Sequence, residues 1–335
     1  MNLKLIILGI LGILGTFGTA EAATFPCAQA MPFVFANGTV ADATQVNANF
    51  SALLNCANTT GRISITTPIT MYVGSPGSDA NNTCTNILTP CATGQQAFNN
   101  LAQFYQFVDG TTAVTIFFNP GSYNQSMSIA GVIPGQQQPS QLLFMGNVGT
   151  PDTVSIQGDN TLPAVFDVRA GALVTIQGFK CLGANGDCIR VRDASVAAVG
   201  SMDFSTTVTA HMHMKFGGVI HTIGNYTISG GAFRHVWADG ASNMQWYNSE
   251  TINPCCSYGG ITVTISGTPA FGGVFLKIQG GYVDAKSITF VSPGSATGTQ
   301  CNIQDNGTFV TGTAGALVVP GTASTCTTAT GGIFD

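Results

Sequence analysis

From Val165 onward the chain repeats one design: a short run of alternating apolar and polar residues, a turn of Gly or other small residues, then another short run. The units VFDVRAGALVTIQGF, CIRVRDASVAAVGSMDF and HMHMKFGGVIHTIGNYTI begin at Val165, Cys188 and His211, at equal intervals. RHVWADGASNMQWYNSETI follows from Arg234, FLKIQGGYVDAKSITF from Phe275 and CNIQDNGTFVTGTAGAL from Cys301, the register loosened by the insertion NPCCSYGG near Cys255. A period of roughly 20 to 25 residues, built from short strands with no helix between them, is what a parallel β-helix requires, because each unit buries its apolar face only by stacking on its neighbours. Phe166 and Val168, Ile189 and Val191, and Met212 and Met214 are then expected to point inward at matching heights. A propeller or sandwich is the competing all-β arrangement, but neither needs one strand to recur at near-constant spacing.

Composition agrees. Gly reaches 42 residues and Lys plus Arg only 10 of 335, which leaves little material for charged amphipathic helices. The net charge of −5 offers no basic surface for a phosphate backbone, so nucleic acid is not an expected partner. Two helices are legible before the repeats. In ADATQVNANFSALLNC, Val46, Phe50 and Leu53 fall at helical spacing with Asp42 placed to cap the start; in QQAFNNLAQFYQFV, Phe98, Leu101, Tyr105 and Val108 do the same, ended by Asp109-Gly110.

The first 22 residues set Lys4 before an apolar run from about Leu5 to Leu14 and end on Ala20-Glu21-Ala22, the pattern of a secretory signal peptide, with an uncleaved anchor as the alternative. No later segment is apolar enough to be a membrane span. The expected division is therefore a signal peptide over 1–22, a helical segment over 23–66 and a β-helix over 67–335. All ten cysteines follow the proposed cleavage point: Cys27, Cys56, Cys84, Cys91, Cys181, Cys188, Cys255, Cys256, Cys301 and Cys326. An even number in an exported chain points to disulfides, with connectivity left open. No cysteine or histidine spacing of the zinc type is present, so no metal and no cofactor is expected.

Three stretches carry a family resemblance. MYVGSPGSDANNTCTNILTPCATGQQAFNNL with the following VTIFFNPGSYN is similar to the entry strand, loop, capping helix and first coil of right-handed parallel β-helix proteins of the pectate-lyase-like superfamily. GNYTISGGA, TISGTPAF and GTASTCTTATGGIFD resemble the last coils of a narrower group, the tail-fibre or tailspike-like proteins of phages and prophages and their bacterial relatives, and FANGTVADATQVNANFSALLNC looks like a segment found ahead of such domains. The resemblance implies an all-β right-handed solenoid with a capping helix. It departs in one respect: virion tail proteins ordinarily lack an export signal, which favours a secreted or cell-surface protein.

Carried along the coils, this spacing is expected to stack the outward positions Asp167, Arg190, His213 and His235 in one column and Arg169, Arg192, Lys215 and Trp237 in the next. Such a strip can hold an acidic polysaccharide, the cations binding carboxylates and Trp237 offering a flat face to a sugar ring. The plainer reading is a polar exterior in which Asp167 pairs with Arg190. His211 and His213 lack a third metal ligand in sequence. Glycoside hydrolysis needs two convergent carboxylates, and the mature chain has one Glu, Glu250, with scattered Asp residues. The residues thus favour a non-catalytic glycan-binding adhesin or fibre-like protein, with a polysaccharide lyase using Arg190, Arg192, Lys215 and His213, or a phage tail component, as alternatives. A purely structural fibre subunit is expected to associate as a homotrimer.

Overall fold

The structure, a computed structural model, describes residues 42, 44, 46–48, 61–246, 260–286, 288–311 and 319–335. The chain divides into two units, Met1–Arg62 and Ile63–Asp335. In the first, the Asp42 carboxylate accepts the Thr44 N–H at 2.8 Å while its carbonyl accepts the Val46 N–H at 3.0 Å, so Asp42 caps a helical turn as its position in the sequence suggests. The proposed signal peptide, Phe50, Leu53, Cys27 and Cys56 lie outside the described residues, as do Glu250, Cys255 and Cys256 of the insertion.

The second unit is a right-handed parallel β-helix. Each coil lays one strand in each of three sheets: Leu173–Gln177, then Lys180–Gly183, then Asp187–Val191, before Val196–Gly200 returns to the first. Among the described residues these sheets hold ten, seven and eight strands, all paired in parallel with the coil above and below. The inward column of the eight-stranded sheet runs Met127, Phe166, Ile189, Met212, Val236, Leu276 and Cys301, all essentially inaccessible. Val168, Val191 and Met214 form the next column, as the alternation predicts. Phe118, Phe144, Phe166 and Phe179 fill the first coils by edge and tilted contacts, with centroids 5.1 to 6.2 Å apart. Burial of each such ring stabilises the solenoid by about 1.5–3 kcal/mol.

The helix Gly94–Phe104 covers the open end of the solenoid with Ala97, Phe98 and Leu101. Thr93 caps it, its hydroxyl oxygen accepting the Gln96 N–H at 3.2 Å, and the Asp79 carboxylate in turn holds the Ala92 and Thr93 N–H groups at 2.8 and 3.0 Å. The helix stops earlier than the spacing of Tyr105 and Val108 predicts. Tyr105–Phe107 is instead a strand pairing with Ile63–Ile65, since an aromatic-rich run gains more from a ladder partner than from another helical turn. Three disulfides are present among the described residues, Cys84–Cys91, Cys181–Cys188 and Cys301–Cys326, the last joining register partners on consecutive coils.

One corner of every coil turns through the left-handed region. Where the eight-stranded sheet passes into the ten-stranded one, Ala170, Asp193, Phe216, Gly240, Gly280, Asp305 and Thr330 occupy equivalent positions with φ between 47° and 66°. Hydrogen bonds link neighbours in this ladder, among them Gly171 N–H to the Asp193 carbonyl at 3.0 Å and Ala194 N–H to that of Phe216 at 3.2 Å. A residue with Cβ costs about 1–2 kcal/mol there, and Gly about 0.5–1 kcal/mol in chain entropy. Ala170→Gly is therefore expected to raise the urea midpoint by a stability gain of about 0.5–1 kcal/mol. A lower midpoint would show that the corner does not carry this strain.

Candidate functional site

The outward face of the eight-stranded sheet carries six of the chain's ten Lys and Arg residues: Arg169, Arg190, Arg192, Lys215, Arg234 and Lys277. Pairing places Asp167, Arg190, His213, Trp237, Lys277 and Asn302 in one vertical column. The expected column ended on His235, which needs a coil that shortens after His213. That coil is instead longer by one residue than the coil before it, so Trp237 takes the place. Arg169, Arg192 and Lys215 do stack, through the Arg192 N–H to Val168 and the Lys215 N–H to Val191, both at 2.9 Å; the column continues with Asp239 rather than Trp237.

The cations of this strip are mostly spoken for. Arg192 grips Asp167 with two parallel hydrogen bonds, Nε to Oδ1 at 3.2 Å and Nη2 to Oδ2 at 3.1 Å, and reaches Asp193 at 3.0 Å. The Asp167 hydrogen bond raises the Arg192 pKa above its ordinary value. Arg169 lies 3.8 Å from the same Asp167 carboxylate and Lys215 lies 3.7 Å from Asp239. Arg190 does not pair with Asp167 as the plainer expectation had it. Its Nε donates to Asp187 Oδ2 at 2.7 Å, because Asp187, at the corner opening the same strand, is only three residues away.

Asp187 is inaccessible and also accepts the His213 Nδ1–H at 2.9 Å. This fixes the imidazole beneath Trp237, the two rings stacked at 4.0 Å and 8°. The Arg234 guanidinium carbon sits 3.9 Å from the Trp237 ring centre. Two planar groups at that distance cannot share one face, so both faces of the indole are covered. Trp237 is thus a pillar of the site and not the open sugar platform the sequence suggested.

His235 lies in the interior. Its neighbours pair as Arg234 with Ala210 and Val236 with Met212, which sets His235 opposite His211, and both rings are fully buried among Phe204, Tyr226, Phe271 and Phe275. Their hydrogen bonds fix every proton. The Ser205 carbonyl only accepts, so His211 donates Nε2–H to it at 2.8 Å; His211 Nδ1 then accepts from His235 Nδ1–H at 2.9 Å. His235 Nε2 in turn accepts from the Tyr226 hydroxyl at 3.0 Å, which accepts from Trp246 Nε1–H at 3.1 Å. The network is complete only with both imidazoles neutral. Burial drives the His211 pKa down to about 4, and burial together with the neighbouring His211 drives that of His235 well below its ordinary value. His211 and His213 therefore serve different environments and do not form a metal-ligand pair; among the described residues no cluster of three metal-ligating side chains occurs.

Sequence reasoning missed three residues that the fold brings to this face: Phe233, Arg234 and Phe216. The Arg234 guanidinium lies 4.7 Å from the Phe233 ring as well as 3.9 Å from Trp237. The Lys215 ammonium lies 5.9 Å from Trp237 and 5.2 Å from Phe216. Phe233, Arg234, Trp237, Lys215 and Phe216 thus make one continuous alternation of aromatic rings and cations across the sheet. It ends on two exposed rings, Phe233 at 45% and Phe216 at 62%. From Phe233 to Gly240, the neighbour of Phe216, seven strand residues span roughly 23 Å. Beyond Phe233 lies an open groove of about 620 Å³ crossing three coils, walled by Thr206, Val208, Ser229, Gly231, Thr268 and Pro269. The available signal was the grouping FRHVW, with two aromatics and an arginine in one short run.

Among the described residues, no helix is long and apolar enough to cross a membrane. The fold and this surface define the chain as a disulfide-bearing parallel β-helix with an aromatic and cationic outer face. No protein family, curated protein or solved structure matches it.

Proposed function

We propose that this protein is an exported, non-catalytic β-helix that recognises glycans on the outward face of its eight-stranded sheet. The observation that carries the reading is the ribbon from Phe233 to Phe216: rings flank fixed cations over a length suited to an extended oligosaccharide, with an open groove at one end. Phe216 adds weight. It is a large aromatic whose ring stands in solvent beside the Lys215 ammonium, at a corner where the other coils carry Ala, Asp, Gly or Thr. Three disulfides accord with an extracellular setting, and the loop resemblance to pectate-lyase-like and tail-fibre β-helices accords with sugar recognition.

The rival reading is a polysaccharide lyase. It draws on Arg234, a cation able to stabilise the anion that forms when a proton beside a carboxylate is removed. One experiment separates the two. The full chain is incubated with a panel of polysaccharides while binding and the absorbance of unsaturated products are followed. Binding without product is expected, weakened at least tenfold by Phe216→Ala in a protein of unchanged thermal stability. Depolymerisation by the unaltered chain, lost in Arg234→Ala, would refute the non-catalytic reading.

A further inference from the structure

We propose that the coil over residues 321–335 is a redox-released cover: the Cys301–Cys326 disulfide holds it on the solenoid, and a dithiol reductant lifts it while the rest of the β-helix stays folded. The coil has almost no core of its own. Its strand Ala323–Thr328 lies on Thr297–Gln304 with Cys326 opposite Cys301 and Thr328 opposite Ile303, so Cys and Thr continue columns that hold Leu276 and Ile278 two coils earlier. From Gly321 to Asp335 no described side chain is buried, whereas Cys301, Ile303 and Phe309 beneath them are at most 1% exposed. Apolar burial, which holds the earlier coils together, therefore contributes little to this one.

What else holds the coil is polar and lies near the surface. The Thr322 N–H donates to the Gly298 carbonyl at 3.0 Å, and the Ala329 and Ile333 N–H groups donate to Ile303 and Gly307, both at 2.9 Å. Asn302 Nδ2 donates to the Thr327 hydroxyl at 2.9 Å, and the Thr330 hydroxyl donates to Asp305 at 2.7 Å, both exposed to solvent. Hydrogen bonds so placed open locally at little cost, which leaves the covalent tie across 25 residues as the strongest constraint. That tie is also open to attack. Cys84, Cys91, Cys181 and Cys188 are wholly inaccessible, whereas Cys326 is only partly buried, so of the three described disulfides this one alone has a partner that meets solvent. One thiolate of the dithiol attacks Cys326 Sγ; the bond to Cys301 breaks and Cys301 leaves as a thiolate that takes up a proton. The second thiol then displaces Cys326, the reductant closes into a cyclic disulfide, and two electrons have passed to the protein. Once lifted, the coil leaves the edge of Thr297–Gln304 unpaired and bares Ile303 and Phe309, an interior that the oxidised protein hides.

The test is hydrogen exchange of the full chain, read by mass spectrometry with and without dithiothreitol, beside alkylation of the freed thiols by iodoacetamide. Cys301 and Cys326 are expected to alkylate before Cys84, Cys91, Cys181 and Cys188. Exchange over residues 321–335 is then expected to quicken about tenfold or more, while that of Asp187–Val191 stays as it was. Cys301→Ala combined with Cys326→Ala is expected to show the same fast exchange with no reductant present. The reductant comparison uses the unaltered protein, so it decides even where that variant fails to fold. Three results would each overturn the proposal: Cys301–Cys326 outlasting either other bridge, its reduction leaving exchange over residues 321–335 unchanged, or exchange quickening through Asp187–Val191 as well. None of them bears on glycan recognition, which stands or falls separately.

Discussion

Asp187→Ala is expected to cost about 3–5 kcal/mol of folding stability, because it strands the partners of a buried charge. The carboxylate is inaccessible, and one oxygen, Oδ2, accepts both the Arg190 Nε–H at 2.7 Å and the His213 Nδ1–H at 2.9 Å. Alanine leaves an imidazole N–H enclosed without an acceptor and a guanidinium with nothing to neutralise it. Asn keeps an acceptor of the same shape without the charge, so Asp187→Asn is expected to fall between wild type and Ala. Urea unfolding measures this as a shift of midpoint at constant slope. Loss of less than about 1 kcal/mol in the Ala variant would show that Asp187 is not what holds His213 in place. Because His213 carries Trp237 and Trp237 carries Arg234, the substitution is also expected to loosen the outer face without touching an exposed residue.

Acid is expected to weaken the fold by a separate route, through His211 and His235. In the unfolded chain both titrate near 6.5; in the folded one His211 titrates near 4 and His235 also titrates below its ordinary value. Above pH 6.5 neither state binds a proton at these sites and they add no pH dependence. As pH falls from 6.5 toward 4 the unfolded chain takes up protons that the folded chain refuses, so stability drops by about 1.4 kcal/mol per pH unit for each histidine. His211 alone removes on the order of 3 kcal/mol by pH 4. Asp109, held down to about 2 by hydrogen bonds from Thr112 and Thr111, and Asp305, held below its usual value by Thr330, act in a lower window, as their carboxylates protonate below the usual carboxylate range. Urea midpoints at pH 7, 6, 5 and 4.5 read the histidine window alone, since all four lie above the range in which these carboxylates protonate. A flat profile between pH 6.5 and 4.5 would contradict the neutral, directionally fixed network from Ser205 to Trp246.

The solenoid was legible because its repeat is itself the physical requirement: a strand that buries one face only on its neighbours must recur in register. Phe166, Ile189 and Met212 therefore fall where alternation puts them. The candidate site was legible only in part, because strict periodicity fails just where its aromatic and cationic ribbon begins. The coil lengthens between Met212 and Val236, which puts Trp237 rather than His235 after His213. Alternation also breaks there: His235 and Val236 are both buried, as are His211 and Met212 beside them, so His235 turns inward. The register shift between Ala232 and Arg234, opposite Phe271 and Val274, brings Phe233 and Arg234 onto the outward face, and no periodic pattern announces a bulge. The carboxylates that neutralise Arg190 and Arg192 were visible as residues, but which acid meets which base is set by corners, not by spacing. Phe216 hid for a similar reason: it sits in a left-handed corner that usually calls for Gly, Asn or Asp.

The account turns on the outward face of the eight-stranded sheet being the surface that meets a ligand. A crystal structure of the full chain with a bound oligosaccharide tests it most directly. Sugar density lying along Phe233, Arg234 and Phe216 is the predicted result. A sugar seated against the ten- or seven-stranded sheet, with Phe233 and Phe216 still bare, would contradict it.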